Sequence, residues 1–368
     1  MTPTFGSVFS GSVTQPLMRG FIHTATDRQV DLFRFDAAIA RSQYRQKVTQ
    51  VMQQVLNQYW ELVFAIESYE ARRQSKDLAL LQYESTQVRV QNGLLAPVAL
   101  TASRAEIASR ERDLLQAEVL IINAENALKQ LLAEDPSSPI WDAAILPTDR
   151  PDAEESPLSV SSAQDLARQQ RPELEQLRHQ LSQNRVDNTF YRWERRPTVN
   201  LTANMTSIGR TGTVLQRTPD GRAPDATNPA FGGFQSAWRQ AFDFDFPAWG
   251  VNLTVQVPFR NRTADAQLAQ VSVVGSRLST QMTKTMQSVS VEVRNVFQVI
   301  ATQRKSLEAA RLTTQLFEEQ LEAQTARYDA GFSSDFELLR YQRDLVDARV
   351  RELRALVDLQ QEIGRAHV

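Results

Sequence analysis

From Phe21 to Asn92 the chain contains neither glycine nor proline, and a second such gap runs from Val98 to Asp135. After Pro258 no proline occurs, and the only glycines are Gly275, Gly331 and Gly364. These residues are the strongest helix breakers, and the stretches that lack them are rich in Ala, Leu, Gln, Glu and Arg. The gaps therefore predict helices far longer than the globular mean of about 11–12 residues. At ~1.5 Å per residue the first would extend about 100 Å. No compact domain of this size has an interior that long, so the helices must pack lengthwise. Apolar spacing agrees. Val289, Val293, Val296 and Ile300, then Leu307, Ala310, Thr314, Phe317, Leu321, Gln324 and Tyr328, alternate steps of three and four, the period of a coiled-coil seam. Val48, Val51, Val55, Tyr59, Leu62, Ile66 and Tyr69 predict a similar stripe in the first helix. A rod-like cytoplasmic coiled coil satisfies these observations as well as anything else does.

Both helical stretches are interrupted alike. The first interruption reads Arg89-Val90-Gln91-Asn92-Gly93-Leu94-Leu95-Ala96-Pro97, the second Arg327-Tyr328-Asp329-Ala330-Gly331-Phe332-Ser333-Ser334-Asp335. Aligned on the glycines, each has Arg four residues before and Leu seven after (Leu100, Leu338). Gly93 and Gly331 suit the left-handed position that ends a helix. Pro97 fits the first turn of the following helix, and Ser333, Ser334 or Asp335 can cap its counterpart. Two helical hairpins in tandem follow. The first repeat is assigned to 1–135, a Pro-, Ser- and Asp-rich linker to 136–162, and the second repeat to 163–362.

Charge and composition remove several function classes. The 41 basic and 43 acidic residues give a net charge of −2, without the basic excess of a nucleic-acid binder. There is no cysteine, and the three histidines, His23, His179 and His367, are far apart in sequence. Thiolate or His-based metal sites, a Cys nucleophile and a clustered catalytic centre are not expected, nor is any cofactor. No run of about 18 apolar residues predicts a transmembrane helix. The opening residues lack the charged and apolar regions of a signal peptide.

A helix is expected from Ala163 to about Trp193, with a break near Arg171-Pro172. Strict alternation follows. Val199, Leu201, Ala203 and Met205 interleave with Thr and Asn over 198–206, and Trp249, Val251, Leu253, Val255, Val257 and Phe259 with Asn252, Thr254 and Gln256 over 249–259. The polar set is uncharged. These lengths match a tilted strand crossing a membrane, ~9–11 residues, and Tyr191, Trp193, Trp249 and Phe259 bracket the strands as interfacial aromatics do. Residues 209–247, rich in Gly, Pro, Asp and Arg, are expected as an external loop. Phe5, Phe9 and Val13 predict one more strand, cut short by Pro16.

These segments together resemble the TolC-like outer-membrane efflux proteins. The likeness is carried by Val13-Thr14-Gln15-Pro16-Leu17-Met18-Arg19-Gly20-Phe21, Tyr59-Trp60-Glu61-Leu62-Val63-Phe64-Ala65, Asn92–Pro97, Arg171-Pro172-Glu173-Leu174, Val255–Arg262 and Arg327–Leu339. The fold it implies is an α+β membrane protein: long antiparallel helical hairpins forming an α-barrel tunnel, joined to transmembrane β-barrel strands and assembled as a homotrimer. It further implies that a helix, a strand and an export signal precede Met1. The closing residues 363–368 are expected to be non-native, because they can be read from a common sequencing adapter.

The implied function is passive conduction of exported solutes through the outer membrane of a Gram-negative bacterium, from a periplasmic tunnel to the exterior. A periplasmic adaptor and an inner-membrane pump are the implied partners, in a tripartite efflux or type I secretion system. Val199, Leu201, Val251, Leu253, Val255 and Val257 are expected to face lipid, and Thr198, Asn200, Thr202, Asn252, Thr254 and Gln256 the water-filled lumen. By the same resemblance Asn92, Gly93, Leu94, Ala330, Gly331 and Phe332 mark the tips where an adaptor docks. Asp335 and Glu337 are candidates for an acidic entrance gate with raised pKa values, although Arg340 occupies the place of a second acid. The rival reading is a coiled-coil periplasmic adaptor without a pore. An enzyme is not expected.

Overall fold

The computed structural model describes residues 4–151, 159–212 and 233–367. In chain order the elements are β1 (Thr4–Pro16), α1 (Ala25–Gln91), α2 (Val98–Leu132), α3 (Val160–Gln170), α4 (Pro172–Glu194), β2 (Thr198–Gly212), α5 (Phe234–Phe242), β3 (Pro247–Gln256), α6 (Arg262–Asp329) and α7 (Asp335–His367). The fold is mostly helical with one small sheet. Helices α1 and α6 run 67 and 68 residues without interruption, as the glycine and proline gaps predict. None of the described helices is long and apolar enough to cross a membrane. The residues form two compact units, 1–39 with 177–281 and 40–176 with 282–368, so each draws on residues from both 1–135 and 163–362.

In the first unit β1, β2 and β3 form an antiparallel sheet in that order. The register runs without a bulge from Val13 opposite Ala203 to Leu201 opposite Leu253. Because side chains alternate along a strand, this register brings the odd-numbered residues of all three strands to one face. That face carries Phe9, Val13, Val199, Leu201, Leu253 and Val255. The opposite, even-numbered face carries Thr14, Asn200, Thr202, Asn252 and Thr254. Below the sheet, Arg28 in α1 donates to Asp187 of α4 at 2.7 Å and stacks over Phe190. Asn184 Nδ2 donates to the Val271 carbonyl of α6 at 2.9 Å. Gly275 makes room there, since a Cβ at that position would lie 2.5 Å from Asn184 Oδ1.

Two expectations are corrected in this unit. Residues 209–247 are not all loop: β2 continues to Gly212 and α5 forms within the segment, while 213–232 lies outside the described residues. β3 spans 247–256 rather than 249–259, so Val257 and Phe259 fall beyond it. In β2 the alternation reverses past Thr206. Ser207, Gly209 and Thr211 sit on the face that carries Leu201 and Leu253, where α5 packs, and small residues let its backbone approach.

In the second unit the coiled-coil seam of α6 is buried as its spacing predicts, at Val289, Val293, Ile300, Leu307, Thr314, Gln324 and Tyr328. Ile300 and Leu307 join Ala355, Leu359 and Ile363 of α7 in one core cluster. The α1 seam differs. Of the predicted stripe only Leu62 is buried; the other buried positions are Ser42, Val63, Ala65, Ser68, Ser75, Ala79 and Thr86. The last five fall on a three–four repeat completed by Arg72 and Gln82, so a heptad is present whose buried positions from Ala65 onward are small residues. Small side chains allow close helix approach, and hydropathy alone does not register them. α3 and α4 are separate helices, parted at Arg171, whose extended backbone (ψ 123°) is what a following proline imposes. Within the linker expected at 136–162, Tyr59 donates to Asp149 at 2.9 Å and Lys129 to the Trp141 carbonyl at 3.0 Å. Residues 152–158 are outside the described residues.

Candidate functional site

The second unit holds the two glycine turns. Gly93 and Gly331 both adopt positive φ, 73° and 81°. Each ends its helix in the same pair of backbone bonds. Gly93 N–H donates to Val90 and Leu94 N–H to Arg89, at 3.0 and 2.8 Å; Gly331 N–H donates to Tyr328 and Phe332 N–H to Arg327, at 3.0 and 2.8 Å. This six-to-one and five-to-two pattern is the Schellman motif, which satisfies carbonyls the helix end would leave open. Ser334 caps α7, its Oγ accepting from Glu337 N–H at 3.3 Å. Pro97 immediately precedes α2 in helical conformation.

The turns flank a cleft of about 830 Å³ lined by Leu94, Leu95, Gly331, Phe336, Leu339 and Arg343, among others. Leu94, Phe332 and Phe336 are largely exposed. Of the tip residues expected from sequence, Leu94 and Gly331 thus meet at one cleft. Asn92, Gly93, Ala330 and Phe332 stand on the turns beside it, also exposed.

Asp335 and Glu337 are engaged rather than free. Asp335 accepts hydrogen bonds from Gln82 Nε2 (2.7 Å) and Thr86 Oγ1 (3.1 Å) of α1 and from the Tyr328 hydroxyl of α6. The carboxylate therefore joins the two hairpins. Burial and then the bond to Asp335 push the Tyr328 phenol up to about 12, and Arg89 stacks over its ring at 4.5 Å. Glu337 accepts from Ser333 Oγ at 2.8 Å. That bond, with the Ser334 backbone N–H next, lowers its pKa within the single chain. Deeper in the same unit Arg110 is almost fully buried. It donates to the Ser75 carbonyl (2.7 Å), the Leu339 carbonyl (3.1 Å) and Glu106 (3.1 Å), so one guanidinium ties α1, α2 and α7. Neither the Gln82–Thr86–Tyr328 grip nor Arg110 was expected from sequence. The signal available was only that Gln82 and Thr86 occupy seam positions in α1.

In the first unit the sheet presents two chemically distinct faces. On one, Thr198 is directly opposite Gln256, Asn200 opposite Thr254 and Thr202 opposite Asn252. Thr14 and Thr202 hydroxyls lie 3.1 Å apart, and Asn252 Nδ2 donates to Asn204 Oδ1 at 3.4 Å. On the other, Val199 opposes Val255, Leu201 opposes Leu253 and Ala203 opposes Val251. Val251, Leu253 and Val255 are exposed. Val257 is exposed as well but lies one residue past the strand. Among the described residues no cluster of His, Asp or Glu could hold a metal ion.

A sequence-family model described as outer membrane efflux protein matches residues 8–134 and 163–363. No curated protein sequence matches the chain. Its fold is similar to a membrane protein from Pseudomonas aeruginosa (TM-score 0.70, 16% identity, 99% of this chain and 82% of that one). It is similar also to the open-state MtrE outer membrane channel of Neisseria gonorrhoeae (0.67, 16%, 99% and 80%). VceC, an outer membrane protein of Vibrio cholerae, is a third such neighbour (0.65, 15%, 98% and 87%). At these identities the likeness speaks to the fold.

Proposed function

The chain belongs to the outer membrane efflux protein family, and from that premise we propose that three copies close a transmembrane barrel continued by a helical tunnel, through which solutes leave the cell passively. The observation that carries this reading is the two-faced sheet. An exposed face of Val, Leu and Ala suits acyl chains, and a facing set of Thr, Asn and Gln without charge suits a wet lumen that holds no solute tightly. Threefold assembly is supported by apolar residues exposed at helical spacing, Leu115, Val119 and Ile122 on α2 and Leu312 and Leu316 on α6, which a lone protomer would leave in water. Purified protein in a planar bilayer is expected to give discrete conductance steps; a silent bilayer with inserted protein would contradict conduction.

The hairpin tips fit an adaptor partner, itself linked to an inner-membrane pump. They offer accessible backbone at Gly93 and Gly331 and apolar knobs at Leu94 and Phe332. Gly93→Trp is expected to abolish crosslinking to the adaptor while the assembled channel persists on gels. The left-handed φ costs a side chain about 1–2 kcal/mol, too little to unfold helices of this length. Crosslinking that survives would make the turns mere connectors.

Asp335 and Glu337 act at the tunnel entrance as fasteners rather than as a ring of free charge. Asp335→Ala removes the bonds from Gln82, Thr86 and Tyr328, and the expected result is a larger single-channel conductance as the hairpins separate. An unchanged conductance would remove the gate role.

A further inference from the structure

Helix α5 lies on the apolar face of the sheet, at the ends of β1 and β2 remote from the long helices, and it is held there tightly. Ser7 Oγ donates to the Ala237 carbonyl at 2.5 Å, and Thr211 Oγ1 to the Gly233 carbonyl at 3.2 Å. Arg210 N–H donates to Gln240 Oε1 at 3.1 Å. Gly209 permits the approach, because a Cβ there would stand 1.9 Å from the Ala237 carbonyl oxygen. Ala237 and Ala241, one turn apart, are buried against the strands.

The rest of the helix is not what a water-exposed helix presents. Phe234, Trp238 and Phe242 recur every four residues along one flank, so they form a stripe. Phe242 stacks on Trp238 at 5.2 Å and meets Phe9 of β1 at 5.3 Å. All three stay about half exposed, at 55%, 45% and 50%. Phe244 meets Phe9 at 5.8 Å, and the exposed Trp249, on the odd-numbered face, carries aromatic surface into β3 on the side of Leu253. The helix side turned away from the sheet carries Gln235 and Arg239, also exposed. A short helix with aromatics on one flank and polar residues on another matches one lying in a bilayer interface.

We infer that α5 is a membrane-interface helix on the outer surface of the barrel, seated at the headgroup boundary of the outer leaflet with its aromatic flank against acyl chains. The occupant of this surface is lipid, because it continues the apolar face of Leu253 and Val255 without a break. The position rests on the proposed barrel: with the helices on the periplasmic side, strand ends remote from them reach the outer leaflet.

The chain has no cysteine, so single cysteines can be labelled cleanly. Trp238→Cys, and Phe234→Cys as a second variant should the first misfold, would carry a nitroxide in protein reconstituted with phosphatidylethanolamine and phosphatidylglycerol. Collisions with oxygen and with a water-soluble nickel chelate would then be compared, with Leu253→Cys and Arg239→Cys alongside. The expected result is loss of nickel access at 238 and 234 to the level found at 253, with oxygen access retained and nickel access kept at 239. Nickel access at 238 and 234 with a lipid-exposed 253 would overturn this inference alone. Nickel access at 253 as well would overturn the barrel reading and this inference together. Spin–spin broadening at 238 without oxygen access would assign the flank to a contact between copies, and would equally overturn it.

Discussion

Leu253→Arg is expected to remove the protein from the outer-membrane fraction. Leu253 lies in the middle of β3, directly opposite Leu201 and on the same face as Val251 and Val255. An arginine on the lipid face of a barrel costs ~2–4 kcal/mol near the bilayer midplane and ~0–1 near its edges. In the proposed trimer each of three copies would carry that cost, so assembly should fail rather than weaken. The paired control is its neighbour Thr254, on the other face. Thr254→Arg places the same charge in the proposed lumen, and the expected outcome is normal insertion with altered ion selectivity. Both results are read by membrane fractionation, followed by bilayer recording for Thr254→Arg. If Leu253→Arg assembles normally, or if the two variants behave alike, the assignment of faces is wrong.

The second large effect is expected at Arg110. Its guanidinium is 4% exposed and holds the Ser75 and Leu339 carbonyls and Glu106. Burial pushes its pKa down, and the Glu106 carboxylate pulls it back up. Arg110→Ala removes every one of these bonds, and with them the tie between α1, α2 and α7, and leaves Glu106 without its ion-pair partner; the Ser75 and Leu339 carbonyls keep the bonds of their own helices. Breaking a fully buried pair from one side costs about 3–5 kcal/mol; Glu106 is 18% exposed, so water offsets part of that here. The measurement is thermal unfolding of the detergent-solubilised protein, with circular dichroism following loss of helix. A markedly lower midpoint is expected, together with proteolysis at the hairpins. Arg110→Lys should rescue only part of it, because an ammonium cannot span two carbonyls and a carboxylate with the geometry of a planar fork. A midpoint unchanged in Arg110→Ala would mean that α1, α2 and α7 are held by their apolar seam alone.

Much of this architecture is legible in the chain because it depends on local chemistry. Helices α1 and α6 follow from missing glycine and proline, and the turns at Gly93 and Gly331 from residues that alone tolerate positive φ. The sheet faces follow from a period of two, and the register then aligns three strands that were read separately. What was not legible depends on partners distant in sequence. The α1 seam uses Ala65, Ser68, Ser75 and Ala79, which carry little hydropathy signal and matter only because another helix comes close. Helix α5 was hidden in a segment whose glycines, prolines and charges read as loop. Its signal was the spacing of Phe234, Trp238 and Phe242 beside Ala237 and Ala241. The same packing disguised the end of β2, where Ser207, Gly209 and Thr211 reverse the alternation to admit the helix. Asp335 and Glu337 were legible as candidate gate acids, but nothing in the sequence pointed to Gln82, Thr86 and Ser333 as their neighbours.

The central claim is a trimeric outer-membrane channel, and membrane fractionation followed by paired gels tests it most directly. Cells expressing the protein would be separated into soluble, inner-membrane and outer-membrane fractions, each run unheated and heated. The account predicts an outer-membrane band at the mass of three chains that collapses on heating to a single chain of 41.6 kDa. A soluble monomer or dimer in the periplasm or cytoplasm, unaffected by heating, would contradict it.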